Sequence, residues 1–174
     1  ASMEEIDFSP ERKLPKNLLV RFSDCSFIKD RKNLTITGPT GSGKSFLASA
    51  LGNQACIYGY RTFYFNISKL FSQLKLAKAD GTYIARMEKM ERAPLVILDD
   101  FGLSGLDTVS RLMLLEILED RHGLRSTIIT SQLPVSSWHE VIGDPTIADA
   151  ICDRIINSSY RIELGGNTLR KKYN

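Results

Sequence analysis

The sequence predicts an α/β fold: a five-stranded parallel sheet with helices on both faces, a three-layer sandwich organised around a phosphate-binding loop. Three observations predict it. Short β-branched or apolar runs alternate with helical patterns along the 174 residues, the signature of strand–helix–strand crossovers. A glycine-rich string, Gly38-Pro39-Thr40-Gly41-Ser42-Gly43-Lys44-Ser45, lies between the first of these strands and the first long helix. A later, wholly apolar run ends in two adjacent carboxylates, Asp99 and Asp100.

The elements follow in order. Asn33 to Thr37 reads as a short strand stopped by the glycine-rich loop. Ser45 to Tyr58 reads as a helix with Phe46, Leu47, Ala50, Leu51 and Ile57 on its apolar side. Arg61 to Phe65 is β-branched and aromatic, a second strand. Two helices come next, about Ser68 to Lys78 and Thr82 to Arg92, with Asp80-Gly81 as the turn. Leu95 to Leu98 suits a strand buried on both faces. A helix from about Thr108 to Asp120 takes Asp107 as its N-cap. Ser126 to Thr130 is the fourth strand. Pro134, Gly143 and Pro145 punctuate two further helices, and Tyr160 to Leu164 closes as an alternating strand.

The glycine-rich string matches G-x-x-x-x-G-K-[ST] in the strand–loop–helix setting its chemistry requires. Glycines let backbone N–H groups turn inward around phosphate oxygens, and the helix behind presents its positive end to the same anion. Lys44 then reaches the β- and γ-phosphates of ATP, and the Ser45 hydroxyl completes a Mg²⁺ shell. A carboxylate ending a buried strand is costly unless a cation awaits it. Asp99 is therefore expected to hold Mg²⁺ through water, with Asp100 orienting or deprotonating the attacking water. The spacing places an extra strand between the Lys44 loop and the Asp99 strand in space, with a polar sensor at its end. Gln132 is favoured for reach and Ser131 is second, against ordinary strand-end polarity. Arg154 is either an exposed charge balancing Asp153 or Asp149, or an arginine given to a neighbouring subunit's ATP.

Composition narrows the setting. Apolar residues at 43% and charged residues at 25% are ordinary for one globular domain. No run approaches the roughly 20 apolar residues that cross a bilayer, so no membrane partner is expected. Cys25, Cys56 and Cys152 are odd in number and widely spaced, which points to reduced thiols and a cytoplasmic location. With only His122 and His139, a histidine metal site is not expected. The net charge is +3, and between Ile67 and Arg92 six cations face three carboxylates, so that stretch holds the whole excess. The opening Ala1-Ser2-Met3-Glu4-Glu5 reads as an added scar or the edge of an excised fragment rather than a natural start.

The strings ITGPTGSGKSFLASALGNQA, LVILDDFGL, RSTIITSQLPVSSWHEVIGDPTIADAICDRI and RIELGGNTLRKK together resemble the IstB family of transposition helper ATPases. The resemblance runs from Ile6-Asp7-Phe8 to Lys172, and the stretch from Ser131 to Arg154 is its most specific part. It implies a single domain (1–174) of the initiator branch of the AAA+ superfamily, related to DnaC-type helicase loaders and without a C-terminal helical lid. It also implies an ATP-regulated protein that assembles as a multimer on double-stranded DNA and engages a transposase. On this resemblance Lys44 and Ser45 take the Walker A positions and Asp99 and Asp100 the Walker B positions. Arg154 takes the "box VII" position of an arginine acting in trans. Residues 67–92 correspond to the basic helical insertion that lines the DNA path, making Lys75, Lys78, Arg86 and Lys89 candidate phosphate contacts rather than a solvated face. Departures are Asp100 where many relatives have glutamate, which implies slow hydrolysis, Phe101 where tryptophan is common, and a missing N-terminal segment. A helicase loader is the alternative reading, disfavoured by the run from Trp138 to Pro145. A small-molecule kinase ranks last, because no arginine-rich lid is visible.

Overall fold

The computed structural model describes residue 20, residues 22–157 and residues 159–165. In chain order the elements are α1 (Ser26–Lys29), β1 (Asn33–Thr37), α2 (Lys44–Ile57), β2 (Thr62–Asn66), α3 (Ile67–Asp80), α4 (Tyr83–Arg92), β3 (Leu95–Phe101), α5 (Thr108–Arg121), β4 (Ser126–Ser131), α6 (Trp138–Ile142), α7 (Pro145–Ile156) and β5 (Ser159–Glu163). The five strands form one sheet in the order β2-β3-β4-β1-β5, and every pairing is parallel. The extra strand expected between β1 and β3 is β4. The N-terminal fragment edge, Ile6 to Phe8 and the region of an expected missing lid fall outside the described residues.

Both faces of the sheet are covered, which explains why β1, β3 and β4 are buried along nearly their whole length. The strand period of two sorts β3 between two cores. Leu95 and Ile97 join Leu47, Leu51 and Phe27 on the α1–α2 face. Val96 and Leu98 join Leu74, Met113, Ile117 and Ile151 on the opposite face, under α3 to α7. By the same parity Asp99 belongs to the α2 face, where the glycine-rich loop ends. Sequence fixes the site's polarity in this way.

Several local expectations hold. Asp107 caps α5, its carboxylate accepting the Ser110 N–H at 2.8 Å. Gly81 ends α3 in the left-handed region at φ 83°. Others are corrected. β3 runs through both aspartates to Phe101, past a register shift between Leu98 and Phe101. Ile57 is 77% exposed, because the α2 face rotates off the sheet at its last turn. In α7 the buried stripe is Ala148, Ile151 and Ile155, at helical spacing.

Arg121 at the end of α5 is 2% exposed and has no carboxylate partner among the described residues. It donates to the carbonyls of Met90, Ala93 and Ser126 and to the Thr127 hydroxyl, at 2.5–3.0 Å. One guanidinium thus closes the N-terminal ends of β3 and β4 against α4. Arg121→Leu orphans these acceptors and is expected to cost about 3–5 kcal/mol. Urea unfolding would register it as a lower midpoint at unchanged slope.

Candidate active site

In a parallel sheet all C-terminal strand ends lie on one edge, so the loops after β1, β3 and β4 meet there. The Gly38 N–H donates to the Ser131 carbonyl at 3.1 Å, which pins the start of the glycine-rich loop to the end of β4. A Cβ at Gly38 would stand 2.6 Å from the Leu164 carbonyl oxygen, so no side chain fits there. Gly41 and Gly43 take φ of 78° and 97°, the left-handed region, and Gly43 is the N-cap of α2. No side chain caps this helix, so its first-turn N–H groups stay available to an anion. The Ser42 N–H closes the turn onto the Pro39 carbonyl at 3.1 Å. Thr40, Gly41, Gly43, Lys44 and Ser45 line a cleft of about 320 Å³, together with Phe46, Asp100, Leu103 and Gln132.

Lys44 is buried, and its Nζ donates to the Pro39 carbonyl at 3.1 Å, holding the ammonium inside the loop. Burial pushes its pKa down, and Asp100 and then Asp99 partly offset that. The loop and its carboxylates therefore undercompensate this cation, which suits it to a phosphate. Asp99 is 2% exposed. Its Oδ1 accepts from the Ser45 hydroxyl at 2.9 Å and from the Thr130 hydroxyl, and its Oδ2 accepts from the Tyr64 hydroxyl. Asp100 sits at φ 64°, a left-handed conformation that aspartate tolerates better than most residues. Its N–H donates to Thr130 Oγ1 at 3.0 Å, and its Oδ2 accepts from Asn66 Nδ2 at 3.4 Å. Burial first, then Asp99, raise the Asp100 pKa, against the pull of Lys44.

The two sensor candidates separate. Ser131 is fully buried, donates to the Phe101 carbonyl at 2.7 Å and accepts the Leu133 N–H at 3.1 Å, so its hydroxyl serves the backbone. Gln132 is exposed and lines the cleft. Tyr64, Asn66 and Thr130 escaped the sequence reading. Thr130 could have been found from the strand register, since β4 lies beside β3. Tyr64 and Asn66 stand on β2, paired with Ile97 and Asp99, and only that pairing reveals them.

Arg154 lies elsewhere. Its carbonyl accepts from Asn33 Nδ2 at 3.4 Å, at the first residue of β1, and so at the sheet edge opposite the glycine-rich loop. Its guanidinium pairs with Glu119 at 3.0 Å and donates to the Ala150 carbonyl at 3.0 Å. Lys75, Lys78, Arg86 and Lys89 are all exposed on α3 and α4. Lys75 pairs with Asp107 at 2.6 Å. Lys78 lies over the Tyr83 ring at 4.8 Å and Lys89 over the Phe63 ring at 5.2 Å. Arg86 and Lys89 rim a second, apolar-floored groove of about 360 Å³. Cys25, Cys56 and Cys152 are free thiols. No helix among the described residues is long and apolar enough to cross a membrane.

Comparison with known proteins adds to this geometry. The family model described as IstB-like ATP binding protein matches residues 1–174. A Sinorhizobium fredii protein carrying the name insertion sequence ATP-binding protein y4pL is 48% identical over 168 residues, covering 97% of this chain and 69% of that protein. A Pseudomonas fluorescens protein named for ATP binding in insertion sequence IS1162 is 42% identical over 137 residues, 79% of this chain and 59% of its own length. Among solved structures, the DnaI structure superposes with a TM-score of 0.79 at 24% identity, covering 94% of this chain and 90% of that one. The DnaC helicase loader gives 0.76 at 21% identity, over 94% and 96%. At such identities the structural likeness establishes the α/β AAA+ fold alone.

Proposed function

The chain belongs to the IstB-like ATP-binding family, and from that premise we propose that it is a magnesium-dependent ATPase of an insertion sequence, switched by double-stranded DNA. The observation that carries the reading is the meeting of Lys44, Ser45, Asp99 and Asp100 at one cleft edge, three of them lining the cleft itself. Lys44 and the α2 N-terminus bind the β- and γ-phosphates. The donor set fits magnesium, because Ser45 and Asp99 offer only hard oxygen atoms, 2.9 Å apart, beside a phosphate site. Magnesium, when bound there, would neutralise phosphate charge. Asp100 accepts the proton of the attacking water, and Gln132 meets the γ-phosphate. Asp100 is one methylene shorter than glutamate, so turnover is slow. Arg154 belongs to the next subunit's ATP in a multimer, and the DNA-bound assembly presents itself to a transposase. The relatives at 42–48% identity are insertion-sequence proteins, which favours this over helicase loading.

The test is ATP hydrolysis with and without duplex DNA across a salt series, since phosphate contacts release counterions. Stimulation that fades steeply with salt is expected; equal rates with and without DNA at every salt concentration would remove DNA from the scheme. The four basic candidates should not behave alike. Lys78→Ala and Arg86→Ala are each expected to lower the slope of log affinity against log salt by about 0.9. Lys75→Ala should lower it less, because Asp107 already neutralises that ammonium at 2.6 Å.

A further inference from the structure

The nucleotide reading leaves Tyr64 without a task. It stands on β2, an edge strand, with 48% of its surface exposed. Yet its hydroxyl reaches inward to donate to Asp99 Oδ2, and Oδ1 of that carboxylate accepts from Ser45. Those are the two side chains that the proposed function assigns to the metal. Magnesium dehydrates reluctantly, so Asp99 would hold it through one of its waters, which would donate to the carboxylate. The Tyr64 hydroxyl makes the donation to Asp99 that such a water would make.

We infer that Tyr64 is a removable stand-in for the metal-bound water: it satisfies Asp99 in the metal-free protein and must swing away before magnesium is held. Three features make this workable. Asp99 is 2% exposed, so a lone pair left without a donor there is costly. Thr130 and Ser45 keep Asp99 oriented from the other oxygen after Tyr64 leaves. Among the described residues β2 is an edge strand and Tyr64 is 48% exposed, so the ring can turn toward solvent. Tyr64 thereby sets the threshold of metal binding without touching the nucleotide, and it is a positioning residue rather than a catalytic one.

The inference rests on the magnesium–nucleotide reading, and the experiment separates the two. The whole chain, as wild type and as Tyr64→Phe, is titrated with magnesium in the presence of a fluorescent, non-hydrolysable ATP analogue, and the half-saturating magnesium concentration is read. Analogue affinity in EDTA is measured in parallel. Tyr64→Phe keeps the ring and removes only the competing hydroxyl, so half-saturation should fall about tenfold, the size expected for one charge-assisted hydrogen bond. Affinity in EDTA should not move, and Tyr64→Leu should reproduce the magnesium shift. An unchanged half-saturation would make Tyr64 a spectator and overturn the inference. A higher one would make it a supporting donor to Asp99, which also overturns it. If wild type binds no analogue with or without metal, the function itself is wrong.

Discussion

Lys44→Ala is expected to reduce nucleotide affinity by about 100-fold or more, beyond ordinary detection, while leaving the protein folded. The first half follows from geometry. The ammonium is buried and tethered to the Pro39 carbonyl at 3.1 Å, so it would meet a phosphate in a setting with little water to screen it. A hundredfold loss corresponds to about 2.7 kcal/mol, within the range for a charge-assisted contact. The second half follows from the direction of its pKa. Burial lowers it despite Asp100 and Asp99, so the charged form is penalised in the empty fold. A lysine whose folded pKa is depressed costs stability in full below that pKa, and the cost fades as pH rises from there to the unfolded value. Removing it should therefore leave the empty protein's thermal midpoint equal or higher at neutral pH, with calorimetry and nucleotide titration moving in opposite directions. Undiminished affinity would refute the assignment of the loop.

Much of the site was legible because its chemistry is local. Gly38 to Ser45 is contiguous, and the parity of β3 decides which face Asp99 takes. One part of the strand order was legible, the strand inserted between β1 and β3, whereas the edge positions of β2 and β5 were not. What was not legible depended on lateral pairing. Tyr64 and Asn66 are about 35 positions from Asp99 and Asp100, and only the β2–β3 register brings them together. Asn66 also caps α3 by accepting the Lys69 N–H at 3.2 Å, so one side chain touches both a basic helix and Asp100. Nothing in local pattern announces that. Ile57 failed for the opposite reason: helical periodicity placed it on the apolar face, but α2 outruns the sheet it covers.

Arg154→Ala is expected to leave nucleotide affinity of the single subunit unchanged and to remove DNA-stimulated hydrolysis, by about 10³-fold or more where an arginine serves a neighbour's ATP. Distance excludes action in cis. Arg154 is anchored at the start of β1, and the glycine-rich loop leaves the far end of that five-residue strand, about 16 Å away at the usual rise. Its present partner is no obstacle. The Glu119 carboxylate is 46% exposed, and ion pairs so open to solvent contribute about 0–1 kcal/mol, which a triphosphate outbids. Mixing separates trans action from loss of fold. Asp100→Asn subunits keep Arg154 but lack the group that takes the water's proton; Arg154→Ala subunits keep Asp100. Each should be inactive alone. In an equal random mixture about one interface in four joins an intact Arg154 to an intact Asp100, so about a quarter of the DNA-stimulated rate should return. A mixture as inactive as its parents, with both variants folded and assembled, would mean that Arg154 only braces α7 against α5.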